Sequence, residues 1–118
     1  MIIGIGLDLI ELKRIKALVD RQPAFVNRIL TSEEEGVYIT LSKKRKIEFL
    51  AGRFCAKEAF AKAVGSGIGE NLSFKDIKIL NNSAGKPVVE SEKFSQRKIH
   101  LSITHTAEYA AAQVIIEQ

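Results

Sequence analysis

The 118-residue chain contains no tryptophan, one methionine, one cysteine and two prolines. One cysteine, Cys55, excludes an intramolecular disulfide. Set between Phe54 and Ala56, it reads as a small core residue. Aromatic residues make up 7% of the chain, and the most basic run, "SKKRK" at residues 42–46, has none interleaved with it. That run reads as a solvated helix end and gives no nucleic-acid surface. No apolar stretch approaches the length of a membrane span. The N-terminal "MIIGIGLDLIE" has no basic leader and meets a charge at Asp8, so no targeting segment and a cytoplasmic location are expected. What remains is ordinary for a globular chain: 46% hydrophobic, 27% charged, formal net charge +4. Residues 1–118 are expected to form one domain. The mild basicity suits an acidic partner or an anionic substrate without choosing between them.

The stretch "MIIGIGLDLI" is apolar and β-branched, and predicts a buried strand ending near Asp8. "ELKRIKALVD" has helical spacing at Leu12, Ile15, Leu18 and Val19, until Gln22-Pro23 stops or kinks it; "AFVNRIL" predicts a further turn. "TSEEE" offers two overlapping capping boxes, Thr31 with Glu34 and Ser32 with Glu35, for a short helix. Ser42 can cap the longest helix, which runs to about Val64 and ends at Gly65. "KDIKIL", "PVVE", "KIHLSIT" and "YAAAQVIIE" read as strands, the last weakened by its alanines, with "NNSAGKP" as a turn. The order predicts an α+β domain with a largely antiparallel sheet, one long helix and shorter helices.

Three places can carry chemistry. Asp8 is either the N-cap of the following helix or a ligand for a hard cation. In "FLAGRFCAKEAFAKAVGSGIG", Glu58 falls among Ile47, Leu50, Ala51, Phe54, Ala61 and Gly65 on a helical wheel. A carboxylate on that stripe must be neutralised, paired or bound to a cation. Lys62 stands at i+4 from Glu58, the spacing of a helix ion pair, and the pair Asp8 and Glu58 could hold one magnesium ion. In "SITHT", His105 is either structural or a phosphate contact between Thr104 and Thr106. "GSGIG" is discounted as a phosphate loop, because it follows a helix whose C-terminal dipole end repels phosphate.

"GIGLDLIELKRI", "FLAGRFCAKEAFAKAVGSGIG" and "LSITHTAEYAAA", together with "AGKP", resemble the signature blocks of the holo-acyl-carrier-protein synthases, the short type of 4'-phosphopantetheinyl transferase. The resemblance extends over the whole chain; Cys55 replaces the alanine-like residue expected there. It implies an α+β fold and transfer of 4'-phosphopantetheine from coenzyme A to a serine of apo-acyl carrier protein, for fatty acid biosynthesis. Carrier domains of secondary metabolism are an alternative acceptor, and a binding module without turnover is an alternative class. It further implies Mg²⁺ as cofactor and a homotrimer with active sites at subunit interfaces. By this resemblance Asp8 and Glu58 hold the metal, Glu58 is general base and Lys62 stabilises the leaving phosphate. Arg53, Lys62, Gly65, Gly85, Lys86, Pro87, Thr104, His105 and Thr106 become candidate coenzyme A contacts, Arg53 for the ribose phosphate.

Arg14, Arg21 and Arg28 recur every seven residues with Leu18 and Phe25 between them. On a continuous helix they would form a basic stripe with apolar knobs, suited to docking an acidic helical carrier protein. A solvated charged face is the plainer reading, and Pro23 argues against continuity.

Overall fold

The computed structural model describes residues 1–118. Strand β1 (Ile2–Glu11) leads into helices α1 (Leu12–Arg21), α2 (Ala24–Ile29), α3 (Ser32–Tyr38) and α4 (Lys43–Val64). The hairpin β2 (Lys78–Asn81) and β3 (Pro87–Glu90) follows, then β4 (Lys98–His105) and β5 (Tyr109–Glu117). Two antiparallel sheets result, one with strand order β1-β5-β4 and the other the β2-β3 hairpin. The α+β expectation holds, and the alanine-rich segment is a strand after all: Ala110 and Ala112 are small residues buried beneath α4.

α4 is the centre of the molecule. On one side it packs on the three-stranded sheet; on the other it meets α1–α3 and the hairpin. It is therefore buried nearly all round, from Leu50 to Ala63. This corrects the single apolar face read from the wheel. Between Leu50 and Ala63 only Phe54, Glu58 and Lys62, on one line of the helix, are not buried, whereas Lys57 is fully buried. The helix ends are as expected. Ser42 accepts a hydrogen bond from the Arg45 N–H, and Gly65 closes the helix at φ 96°, a conformation that favours glycine.

Two glycines set how close the helix lies. A β-carbon on Gly4 or Gly6 would strike the carbonyls of Ala63 and Ala59. Because neither has one, β1 and α4 approach backbone to backbone, running in opposite directions. Along β1 the even positions face the helix; Ile3, Ile5, Leu7 and Leu9 face outward and are 47–63% exposed. The strand is thus half-buried where a buried strand was expected. It also runs past Asp8 to Glu11, so Asp8 lies within the sheet, opposite Ala112. Glu11 is the residue before α1 and makes no side-chain cap, which removes the N-cap reading of Asp8.

Of the two capping boxes in "TSEEE", only Thr31 with Glu34 forms. Ser32 instead donates to Glu33. Glu34 is fully buried because its carboxylate has further work. It accepts from the Lys57 ammonium at 2.6 Å and from the Ile79 N–H at 2.6 Å. Lys57 also donates to the carbonyls of Ile29 and Phe74. One buried ion pair thereby ties α2, α3, α4 and β2 together. Burying charges is costly unless they are paired and fully hydrogen-bonded, and here both are.

The basic stripe is not continuous. The chain breaks between α1 and α2 at Gln22 and Pro23. Phe25 is buried against Phe54, with ring centroids 6.0 Å apart, so it is a core residue and no docking knob. Leu18 is half-buried, and Arg14, Arg21 and Arg28 are exposed.

Candidate functional site

The close approach of β1 and α4 brings Asp8 beside the C-terminal half of the helix. The Lys62 ammonium lies 3.1 Å from Asp8 Oδ1 and donates to the Leu7 carbonyl at 3.0 Å. The expected Glu58–Lys62 helix pair does not form. The strand offers Lys62 two oxygens, and that contact takes its place. Glu58 is left half-buried with no side-chain partner among the hydrogen bonds or ion pairs of the structure. Partial burial pushes its carboxyl above the usual range, the Asp8 charge adds to this, and Lys62 opposes it. The Asp8 and Glu58 carboxylates are thus near enough to feel each other's charge, and the Lys62 ammonium is paired with Asp8. Behind them Cys55 donates to the Ala110 carbonyl at 3.4 Å. Burial foremost, then the charges of Asp8 and Glu58, push its thiol up, so it stays neutral and inert.

The other candidates lie on β4 and the turn after it, at the middle of α4 and on the β2–β3 turn. His105, at the end of β4, is exposed, with Nε2 3.7 Å from Glu48 Oε2. Thr104 lies on the outward face of the sheet, paired with Ala111. Arg53 is buried: its guanidinium stacks 4.3 Å from the Phe49 ring centroid and donates to Ile79 O and Asn81 Oδ1. Two of its five N–H donors thus anchor β2. The turn after Asn81 carries Gly85 at φ 83°, exposed Lys86, and Pro87 at the start of β3. Asn82 holds it by accepting from Ala84 N–H and Lys86 N–H. Thr106 Oγ1 accepts from Glu108 N–H and Tyr109 N–H, so its hydroxyl shapes the β4–β5 turn.

The Glu48–His105 contact and the Asp8–Lys62 pair are at different ends of α4. Glu48 and Glu58 are ten residues apart on α4, about 15 Å at 1.5 Å per residue. A concavity of about 910 Å³ between α3, the β2–β3 hairpin and the start of β4 lies at neither group. Its lining lysines are already engaged, Lys78 with Glu33 and Glu90 and Lys93 with Asp76. The sequence reading missed the Glu34–Lys57 pair and the Glu48–His105 contact, because nothing local links their members. The Gly4–Gly6 alternation was visible, but only α4 explains it.

Residues 4–114 match the model of the 4'-phosphopantetheinyl transferase superfamily. The chain belongs to that superfamily. Among members of this superfamily it is 60% identical over 118 residues to the holo-[acyl-carrier-protein] synthase of Bacillus subtilis (strain 168), covering 100% of this chain and 98% of the relative. It is 58% identical, with the same coverage, to that of Geobacillus sp. (strain WCH70). Its fold matches the Bacillus anthracis holo-(acyl-carrier-protein) synthase, solved in complex with CoA (3',5'-ADP), at TM-score 0.91 and 48% identity, over 98% and 96% of the two chains. The Helicobacter pylori synthase in complex with coenzyme A matches at TM-score 0.84 and 33% identity, over 96% and 99%. The family resemblance read from the signature blocks is borne out. No helix is long and apolar enough to cross a membrane.

Proposed function

We propose that the chain transfers 4'-phosphopantetheine from coenzyme A to a serine hydroxyl of apo-acyl carrier protein, releasing adenosine 3',5'-bisphosphate. Residues 1–118 act as one transferase domain, in the cytoplasm, readying carrier protein for fatty acid biosynthesis. The observation that carries this reading is the convergence of Asp8, Glu58 and Lys62 in a member of this superfamily. Carboxylates beside a diphosphate repel it unless a cation stands between them. The donor set fits Mg²⁺, which takes one or two protein carboxylates and completes its shell with water and phosphate. The partnerless Glu58 carboxylate supports the same assignment. Asp8 and Glu58 would hold the ion, which when bound polarises the phosphorus under attack and offsets charge on the leaving phosphate. Glu58, its carboxyl already raised by burial and by Asp8, is suited to take the serine proton as general base. The half-exposed Lys62 can reach the leaving phosphate and stabilise it.

We place the complete site between subunits of a homotrimer. The catalytic group sits on the C-terminal half of α4, whereas His105, one of the candidate nucleotide contacts with Arg53, Gly85, Lys86, Pro87, Thr104 and Thr106, lies by Glu48 in its N-terminal half. A head-to-tail contact repeated three times would close a ring and bring one group beside the other. The outward row Ile3, Ile5, Leu7 and Leu9 supports it, since contiguous exposed apolar surface marks an interaction face. The acidic carrier protein would dock on Arg14, Arg21 and Arg28, steered by charge.

Mass spectrometry of apo-acyl carrier protein incubated with this chain, coenzyme A and Mg²⁺ tests the reading. A phosphopantetheine mass increment is expected, strongly reduced in Asp8→Asn and Glu58→Gln. Binding without any increment would reduce the chain to a binding module.

A further inference from the structure

The Asp8–Lys62 contact has a consequence for the order in which ligands bind. Lys62 ignores its helical neighbour Glu58 and places its ammonium 3.1 Å from Asp8 Oδ1 and 3.0 Å from the Leu7 carbonyl. A carboxylate oxygen and a carbonyl oxygen are the ligands a hard divalent cation takes. The Asp8 side chain is 16% exposed and held in a strand, while that of Lys62 is 52% exposed on a flexible stem. Of the two partners, Lys62 is the one free to leave.

We propose that Lys62 is an exchangeable counter-ion: in the free protein its ammonium occupies Asp8 in competition with the divalent cation, and it moves to the substrate's diphosphate when the metal takes its place. This rests on the metal reading given above. An ammonium and a divalent cation repel each other at one carboxylate oxygen, so the cation must displace Lys62 to bind. The displaced ammonium is then unpaired, and the diphosphate is the anion that re-pairs it. Metal and coenzyme A therefore reinforce each other's binding, and by linkage the reinforcement is equal in both directions. Without substrate, Lys62 keeps the two carboxylates from holding metal tightly.

The test is Mn²⁺ binding followed by electron paramagnetic resonance, with and without coenzyme A, in the absence of carrier protein so that no turnover occurs. Lys62→Met should bind Mn²⁺ alone about two- to fivefold more tightly than wild type, the scale of losing one part-exposed ion pair. Coenzyme A should tighten Mn²⁺ binding less in this variant than in wild type. Lys62→Arg, which keeps a cation at Asp8, should retain the weak metal-alone affinity. Thermal melting checks that each variant is folded. If Lys62→Met binds Mn²⁺ alone as weakly as wild type, or more weakly, the exchange is wrong while the metal site stands. If wild type binds no Mn²⁺ even with coenzyme A, the metal reading fails and the exchange with it.

Discussion

Replacing Gly6 by alanine tests the packing that creates the site. A methyl at Gly6 would sit 2.7 Å from the Ala59 carbonyl carbon and 2.8 Å from the Ala63 nitrogen. The Ala59 carbonyl oxygen is closer still, and carbon atoms pack best at about 3.5–4.0 Å, so β1 and α4 would have to part by more than about 1 Å. Both obstacles are backbone, at the two ends of one helical hydrogen bond, and no rotamer change relieves them. Overpacking of a core costs about 1–3 kcal/mol and occasionally more, and this unyielding seam belongs at the upper end, ~3 kcal/mol. For a domain of this size, roughly 3–6 °C per kcal/mol, that lowers the melting temperature by about 10–18 °C. The same withdrawal moves Glu58 away from Asp8, so transfer activity should fall even at temperatures where the variant is folded. Gly36 in α3 is the control: nothing lies within 4 Å of a β-carbon there, and alanine should be stabilising by about 0.5–1 kcal/mol. Thermal melts at one protein concentration compare the three proteins, since assembly shifts melting by mass action. A Gly6→Ala protein melting within about 3 °C of wild type would refute the claim that this seam fixes the position of α4.

Lys57→Met leaves the Glu34 carboxylate buried without its counter-ion and should cost about 3–5 kcal/mol in denaturant unfolding. Adding Glu34→Gln should recover part of that, because the amide oxygen still accepts from Ile79 N–H without a buried charge; no recovery would mean that the pair is not the cause. Glu58 has a raised folded carboxyl, so its contribution to stability is greatest below the ordinary carboxylate range and is lost as pH rises through the raised value. In metal-free buffer Glu58→Gln should therefore melt above wild type at neutral pH, the gap closing in acid; a pH-independent gap would contradict this. Charge reversal at Arg14 or Arg21 should raise the Michaelis constant for carrier protein, more so at low salt, and leave that for coenzyme A near wild type. Movement of the coenzyme A constant alone would end the docking proposal.

The sequence carried whatever depends on near neighbours. Ser42 and Gly65 bracketed α4 correctly, since caps act within one turn of the helix they close. The strands from "PVVE", "KIHLSIT" and "YAAAQVIIE" were legible between turn residues, but "KDIKIL" pairs only from Lys78, because Phe74–Asp76 form a 3-10 turn in which Asp76 accepts from the Ser73 N–H. The signature blocks identified the superfamily. A wheel could not show what surrounds α4, however. With the sheet on one side and α1–α3 on the other, every face of the helix is an interior candidate, and the polar residue buried deepest is Lys57. Spacing likewise proposed Glu58–Lys62, which the structure replaces with Asp8–Lys62 across 54 positions of sequence. Phe25 illustrates the same limit: on a stripe it is a docking knob, but once Pro23 turns the chain it becomes the neighbour of Phe54. By itself the sequence determined the residue types, the caps of α4 and the presence of a helix carboxylate that must be neutralised, paired or bound to a cation, because these follow from local chemistry. Only tertiary structure decided which carboxylates come near each other and which of them Lys62 pairs with, because the bare backbone of Gly4 and Gly6 lets β1 lie directly on α4.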